Sequence, residues 1–257
     1  MQYGRIGRLG VGIEMEGTFE DKRKRGFENT YGKVLTSMML AANPFKKMTF
    51  KTPCMVHRFI NIQAVVILEN EGYEDAAEFY KAYIKALNEG ATWADQDFKS
   101  INHFYHNEKK KGLYGFSDGL TEARRYMDKS LFYLEKGNIQ RSVFYLGVFC
   151  HLSQDMTVPQ HVTNRLLDSH KSYETWIKKK IFAEIDYSVD HGILRFETLD
   201  DYIRENAIVA NFYAEKFKDI ENRDTMYEAL SRKMIEVAQT TTAGLLLDYY
   251  ELYYKNL

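Results

Sequence analysis

Of the six His, Asp and Glu side chains within the 24 residues HLSQDMTVPQHVTNRLLDSHKSYE, positions 151–174, Asp168 reads as a turn or cap residue and five are candidate ligands for a divalent cation. They are His151, Asp155, His161, His170 and Glu174. Imidazole nitrogen and carboxylate oxygen are the usual N and O donors for zinc. His151 and Asp155 are four residues apart, so on a helix both project from one face, one turn from each other. His170 and Glu174 repeat that spacing. Pro159 lies between the two pairs and is expected to end the first helix, which lets His161 turn back toward the same cavity. The chain has seven histidines in all, and three of them occur in the twenty residues 151–170. That crowding points to a metal site.

The composition sets the frame that must position these groups. A chain of 257 residues can bury one substantial core, and a single domain is expected for most of its length. The 45% hydrophobic and 28% charged content is that of a globular protein. A formal net charge of −1 gives no general electrostatic grip on nucleic acid or on an anionic membrane. No apolar run approaches the length of a membrane-spanning helix, so no transmembrane segment is expected. Two cysteines, Cys54 and Cys150, make no disulfide framework.

Residues 1–30 are Gly-rich and charged with weak periodicity, and residues 1–50 read as an N-terminal arm, processed or poorly ordered; residues 51–257 read as the folded domain. Lys22–Arg25 followed by VLTSMMLAA faintly follows the pattern of a signal peptide, and an amphipathic helix behind a disordered arm is the other reading. Location is therefore left open between a secreted and a cytoplasmic protein. From Pro53 onward, helical patterns dominate. One helix runs through MVHRFINIQAVVILEN, and a second through EDAAEFYKAYIKALNEG, with Gly90 marking its C-terminal end. Residues 91–117 lack sustained periodicity and read as a long loop carrying Asp95 and His103. Helices follow at 117–135, from 139 to about 157, at 169–182, and near 198–218 and 224–254. The segment VFYLGVFCHLSQD is apolar on nearly all sides and must be central. An all-α bundle of seven to nine helices follows.

The string HLSQDMTVPQHVTN, preceded by FYLGVFC, closely resembles the signature of the zinc-dependent phospholipase C family, whose fold is shared with the S1/P1 nucleases. The resemblance extends in order to His57 in VHRFI, to Asp95 five residues after Gly90, to His103 in HFY, to the His170–Glu174 pair, and to TTTAGLLLDYY near the C-terminus. It implies eight metal ligands: His57, Asp95, His103, His151, Asp155, His161, His170 and Glu174. One zinc would take Asp95, His103, His151 and Asp155; a second His161, His170 and Glu174; a third His57, with Asp155 bridging. Two to three Zn2+ ions are thus expected. The family's third zinc also takes the backbone of an N-terminal tryptophan, whereas the first tryptophan here is Trp93. A free amine made by cleavage after Ala42, or a Cys54 thiolate, would serve instead; a buried, inert Cys54 is the other reading.

The activity so implied is phosphodiester hydrolysis, with a phospholipid as substrate and diacylglycerol and a phosphorylated head group as products. Asp95 is the expected catalytic carboxylate, orienting or deprotonating the attacking water. Glu174, where the nucleases carry Asp, and the eight residues between His161 and His170 favour lipid over nucleic acid. Gln96 stands where an aromatic head-group residue is found in the family. The expected partners are a phospholipid substrate and a transient membrane-surface contact, with no stable nucleic-acid binding and a monomeric state. The resemblance implies a catalytic domain without the membrane-binding module appended to some toxins. Two alternatives are an S1/P1-like zinc nuclease and a zinc-stabilised helical binding module without catalysis.

Overall fold

In the computed structural model, residues 54–96, 103, 105, 118–162, 170–183 and 186–257 are described, with the side chains of 170, 171 and 181–183 left aside. The proposed arm and its boundary at residue 50, the signal-like stretch and most of the expected 91–117 loop lie outside these residues. The described chain is all α-helical: α1 Met55–Asn70, α2 Glu74–Ala94, α3 Gly119–Glu135, α4 Ile139–Asp155, α5 Pro159–Val162, α6 His170–Ala183, α7 Leu199–Phe217 and α8 Arg223–Tyr249. A π-helical turn, Tyr250–Tyr254, extends α8. No strand occurs among the described residues.

Local chemistry explains most of these boundaries. Asp118, Asn138 and Asn222 cap α3, α4 and α8 by accepting from the backbone N–H three residues on. Thr198 and Asp201 form a reciprocal capping box at the start of α7. Glu74 and Asp75 place negative charge in the first turn of α2, where the helix dipole favours it. Pro159 opens the one-turn helix α5, since its missing N–H is no loss at a first helical position. Helix α4 therefore ends at Asp155, three residues before the proline would have forced it to.

Helix α4 is the axis of the molecule, as its apolar sequence requires. Every residue from Leu146 to Asp155 is buried, and α2, α3, α7 and α8 all pack against it. The tightest approach is to α2, and it corrects one sequence expectation: Gly90 does not end the second helix, which continues to Ala94. A Cβ at Gly90 would lie 1.9 Å from the Phe144 carbonyl oxygen, and one at Gly147 would lie 2.0 Å from that of Leu87. The two glycines are thus reciprocal contact points that let the backbones of α2 and α4 touch. Extension of α2 by one turn carries Asp95 to the end of a rigid element.

At its C-terminal end α8 is buried on all sides from Ala238 to Tyr249. It presents Thr241 and Thr242 toward the buried ends of α7 and α4, where Asn206 and Gln154 reach their hydroxyls.

Gly147→Ala is expected to cost on the order of 3 kcal/mol or more, because the added methyl meets backbone that cannot rotate away. Denaturant unfolding checks this, and a loss below about 1 kcal/mol would contradict the backbone-on-backbone contact.

Candidate metal centre

Asp155, the last residue of α4, is 4% exposed and is the point on which the site converges. His103 Nδ1 lies 2.8 Å from its Oδ2, His151 Nε2 3.2 Å and His161 Nδ1 3.7 Å from the same oxygen. His57 Nε2 lies 3.4 Å from Oδ1. The rings of His57 and His151 stack with centroids 4.0 Å apart, and those of His103 and His151 meet edge-on at 4.9 Å. His161 is brought in by the turn after α4, whose Val158 carbonyl accepts the His161 N–H. Its own carbonyl in turn accepts the N–H of Tyr105, which anchors the segment bearing His103.

The electrostatics follow from packing one carboxylate among imidazoles in a medium that solvates charge poorly. Burial alone would raise the Asp155 pKa, but the charges of His151 and His161 and the hydrogen bond from His103 outweigh it and hold the carboxyl well below the usual range. Burial also works against a charge on His151, yet Asp155 wins and its pKa is raised. His57 goes the other way. Burial, then the charge of neighbouring His151, push it down to about 4, so that it is a neutral imidazole at physiological pH.

These residues fit a metal ion on their own geometry. One donor atom from each of His57, His151 and Asp155 lies within 4.8 Å of the others. Donors on a tetrahedral zinc stand about 3.3 Å apart, given bonds of about 2.0 Å, so the trio needs only small side-chain adjustments. Although His151 Nε2 is near Asp155 in distance, this nitrogen of the fully buried ring makes no well-aligned hydrogen bond. A buried imidazole normally finds such a partner. Cation binding would satisfy it.

Of the eight residues singled out in sequence, five (His57, His103, His151, Asp155 and His161) form this cluster. Asp95 borders it: its charge acts on both His57 and His151, and its Oδ2 accepts the Cys54 thiol at 3.2 Å. Burial and the Asp95 carboxylate both push the Cys54 pKa up, which keeps sulfur protonated as a donor to Asp95. Glu174 stands on α6 with Lys178 3.3 Å away, its side chain partly open to solvent. The side chain of His170 lies outside the described residues.

Sequence reasoning passed over Gln154, Asn61, Asn88 and Thr242. His57 Nδ1 hydrogen-bonds Gln154 Oε1 at 2.9 Å, and the Gln154 amide reaches Asn61 and Thr242. Two signals were available: Gln154 adjoins Asp155, and Asn61 lies one helical turn beyond His57 in an otherwise apolar stretch.

Comparison with known proteins places this chain in a lineage. The sequence model of a family described as zinc dependent phospholipase C matches residues 56–242, most of the chain. The chain belongs to the zinc-dependent phospholipase C family. A phospholipase C of Clostridium novyi is 28% identical over 148 residues, covering 48% of this chain and 37% of that protein. Alpha toxin from Clostridium absonum superposes with a TM-score of 0.66 at 16% identity, over 76% of this chain and 63% of the toxin. Alpha-toxin from an avian strain of Clostridium perfringens gives 0.65 at 17% identity, over 77% and 64%. The all-α fold is therefore that of the alpha-toxins, while this family member spans under two thirds of the length of these relatives.

Asp155→Asn should destabilise the metal-free protein by on the order of 3 kcal/mol near neutral pH, as removal of one member of a buried ionic cluster does. Because the folded pKa of Asp155 is depressed, its contribution is present above the unfolded value of 3.8 and is lost as pH falls through the lower folded value. Denaturant titrations of both proteins in chelator at a series of pH values measure this, and a difference that stayed constant into strong acid would contradict it.

Proposed function

We propose that this protein is a zinc-dependent phospholipase C that cleaves glycerophospholipids to diacylglycerol and a phosphorylated head group. One observation carries the reading. A chain matching the zinc-dependent phospholipase C family over residues 56–242 gathers four imidazoles, three buried and one partly buried, around one carboxylate, in a geometry able to hold a cation. The name of one relative, a clostridial phospholipase C, supports the same substrate class, and the likeness to two clostridial alpha-toxins supports the fold.

In this reading two to three zinc ions are held by His57, Asp95, His103, His151, Asp155, His161, His170 and Glu174. When bound, zinc supplies a Lewis acid for the phosphate oxygens and lowers the pKa of water to near neutrality. The chain's own groups do the rest. Asp95 is the catalytic carboxylate: fixed at the end of α2 and steadied by the Cys54 thiol, it has one oxygen engaged and the other available to orient or accept a proton from the attacking water. Asp155 fixes the imidazoles, since its two oxygens lie within 3.7 Å of four of them. Neutral His57 presents a lone pair rather than a charge. The absence of any surplus positive charge on the chain weighs against a nuclease. A set of His and carboxylate donors, rather than the cysteine-rich set common in structural zinc sites, weighs against a purely structural cluster.

A single comparison tests the proposal: zinc-loaded protein assayed on phosphatidylcholine, phosphatidylethanolamine and single-stranded DNA. Phospholipid turnover is expected, abolished by chelation and restored by zinc. His161→Ala should lower it by at least a hundredfold while leaving the helical circular dichroism unchanged, as loss of a metal-binding side chain does. Cleavage of DNA alone would favour the nuclease, and turnover of none of the three would favour the binding module.

A further inference from the structure

We propose that Gln154 is a positioning residue that fixes the proton of His57 on Nδ1 and so commits Nε2 to the metal, through an amide chain running across four helices. The inference rests on the metal-binding reading of the site. Its observations are the hydrogen bonds behind His57, on the side away from Asp155.

Gln154 is 2% exposed and faces three partners from two other helices. Its Oε1 stands 2.9 Å from His57 Nδ1 on α1. Its amide nitrogen donates to Asn61 Oδ1 at 2.9 Å, also on α1, and to Thr242 Oγ1 at 3.1 Å on α8. Asn61 then donates to Asn88 Oδ1 on α2 at 3.0 Å. Asn61, Asn88 and Thr242 are themselves buried, so water does not compete for these groups.

The direction of this chain has a chemical consequence. Because Asn61 spends its NH2 on Asn88, it turns its carbonyl toward Gln154. Gln154 must then turn its NH2 toward Asn61 and Thr242, which leaves only its carbonyl for His57. A carbonyl accepts and cannot donate, so the hydrogen of a neutral His57 sits on Nδ1. The lone pair is then on Nε2, the nitrogen 3.4 Å from Asp155 Oδ1 and close to His151. An imidazole that binds a metal through Nε2 needs that tautomer, and a hydrogen-bond acceptor behind the ring makes the free nitrogen more basic and holds the ring in plane. The arrangement also explains why a glutamine sits on the continuously buried stretch of the central helix α4, where an unpaired amide would be costly.

The experiment measures zinc affinity by competition with a chromogenic chelator for wild type, Q154L and Q154E, alongside ring-nitrogen NMR of His57 in the zinc-loaded wild type. Q154L keeps the volume and removes the acceptor; it is expected to weaken the tightest zinc by about tenfold to a hundredfold. Q154E restores an acceptor facing Nδ1, with the Asn61 amide turning to meet its second oxygen, and should recover most of that loss. The spectrum should show a slowly exchanging proton on His57 Nδ1 and none on Nε2. Equal zinc affinity in wild type and Q154L would overturn the proposal, as would Q154E behaving no better than Q154L. If Q154L does not fold, Q154E and the spectrum decide: a His57 ring without the Nδ1 proton refutes the role. Wild type that takes up no zinc would refute the metal-binding reading itself, an outcome distinct from unchanged affinity in the variants.

Discussion

A carboxylate with almost no access to water cannot stay ionised without compensation, and among the described residues Asp155 is compensated by the imidazoles drawn in around it. That requirement organises the molecule. His151 comes from the same helix, His57 from α1, His161 from the turn after α4, and His103 from the segment pinned to His161 through the Tyr105 backbone. Each must arrive within a few ångströms of one carboxyl group. The helices that deliver them therefore have little freedom in how they cross, and the reciprocal Gly90 and Gly147 contacts set the closest of those crossings.

Such a centre is a poor source of stability in itself. Placing charged and polar groups at the buried end of the central helix α4 costs desolvation that apolar packing there would not. The surrounding core offsets the cost. Large side chains such as Phe149, Leu146, Leu152, Tyr202 and Leu245 are almost completely removed from water around the same helices. Polar groups that share this interior are satisfied by one another, as in the Gln154–Asn61–Asn88 chain and the Ser130–Ser142–Tyr249 cluster. The fold gives up stability at one end of α4 and keeps there a concentrated set of groups able to hold a metal. Cys54 adds to this: its φ of 60° lies in the left-handed region that non-glycine residues seldom adopt, and its thiol is what reaches Asp95.

Much of the fold was legible because its signals are local. Caps at Asp118, Asn138, Thr198 and Asn222, the turn at Gly137 and the even hydrophobicity of VFYLGVFC need only neighbours in sequence to act, and the helices stand where these signals put them. Gly90 was misread for the opposite reason. Glycine after an amphipathic stretch is the ordinary mark of a helix end, but here it answers to the Phe144 carbonyl 54 residues away. The amide relay was overlooked on similar grounds: Asn61, Asn88 and Thr242 carry no metal-binding chemistry and gain a role only from what lies across the interface.

Residue types and spacing by themselves determined the chemical class of the centre. Imidazoles and carboxylates one helical turn apart, with a proline between the pairs, present hard and borderline donors on a common face wherever the chain goes next. Tertiary structure alone decided that Asp155 is the hub, that Asp95 is steadied by the Cys54 thiol, and which nitrogen of His57 faces the carboxylate. Those outcomes depend on distances between segments up to about a hundred residues apart, set by how closely helix backbones pack, and helical periodicity carries no information about them.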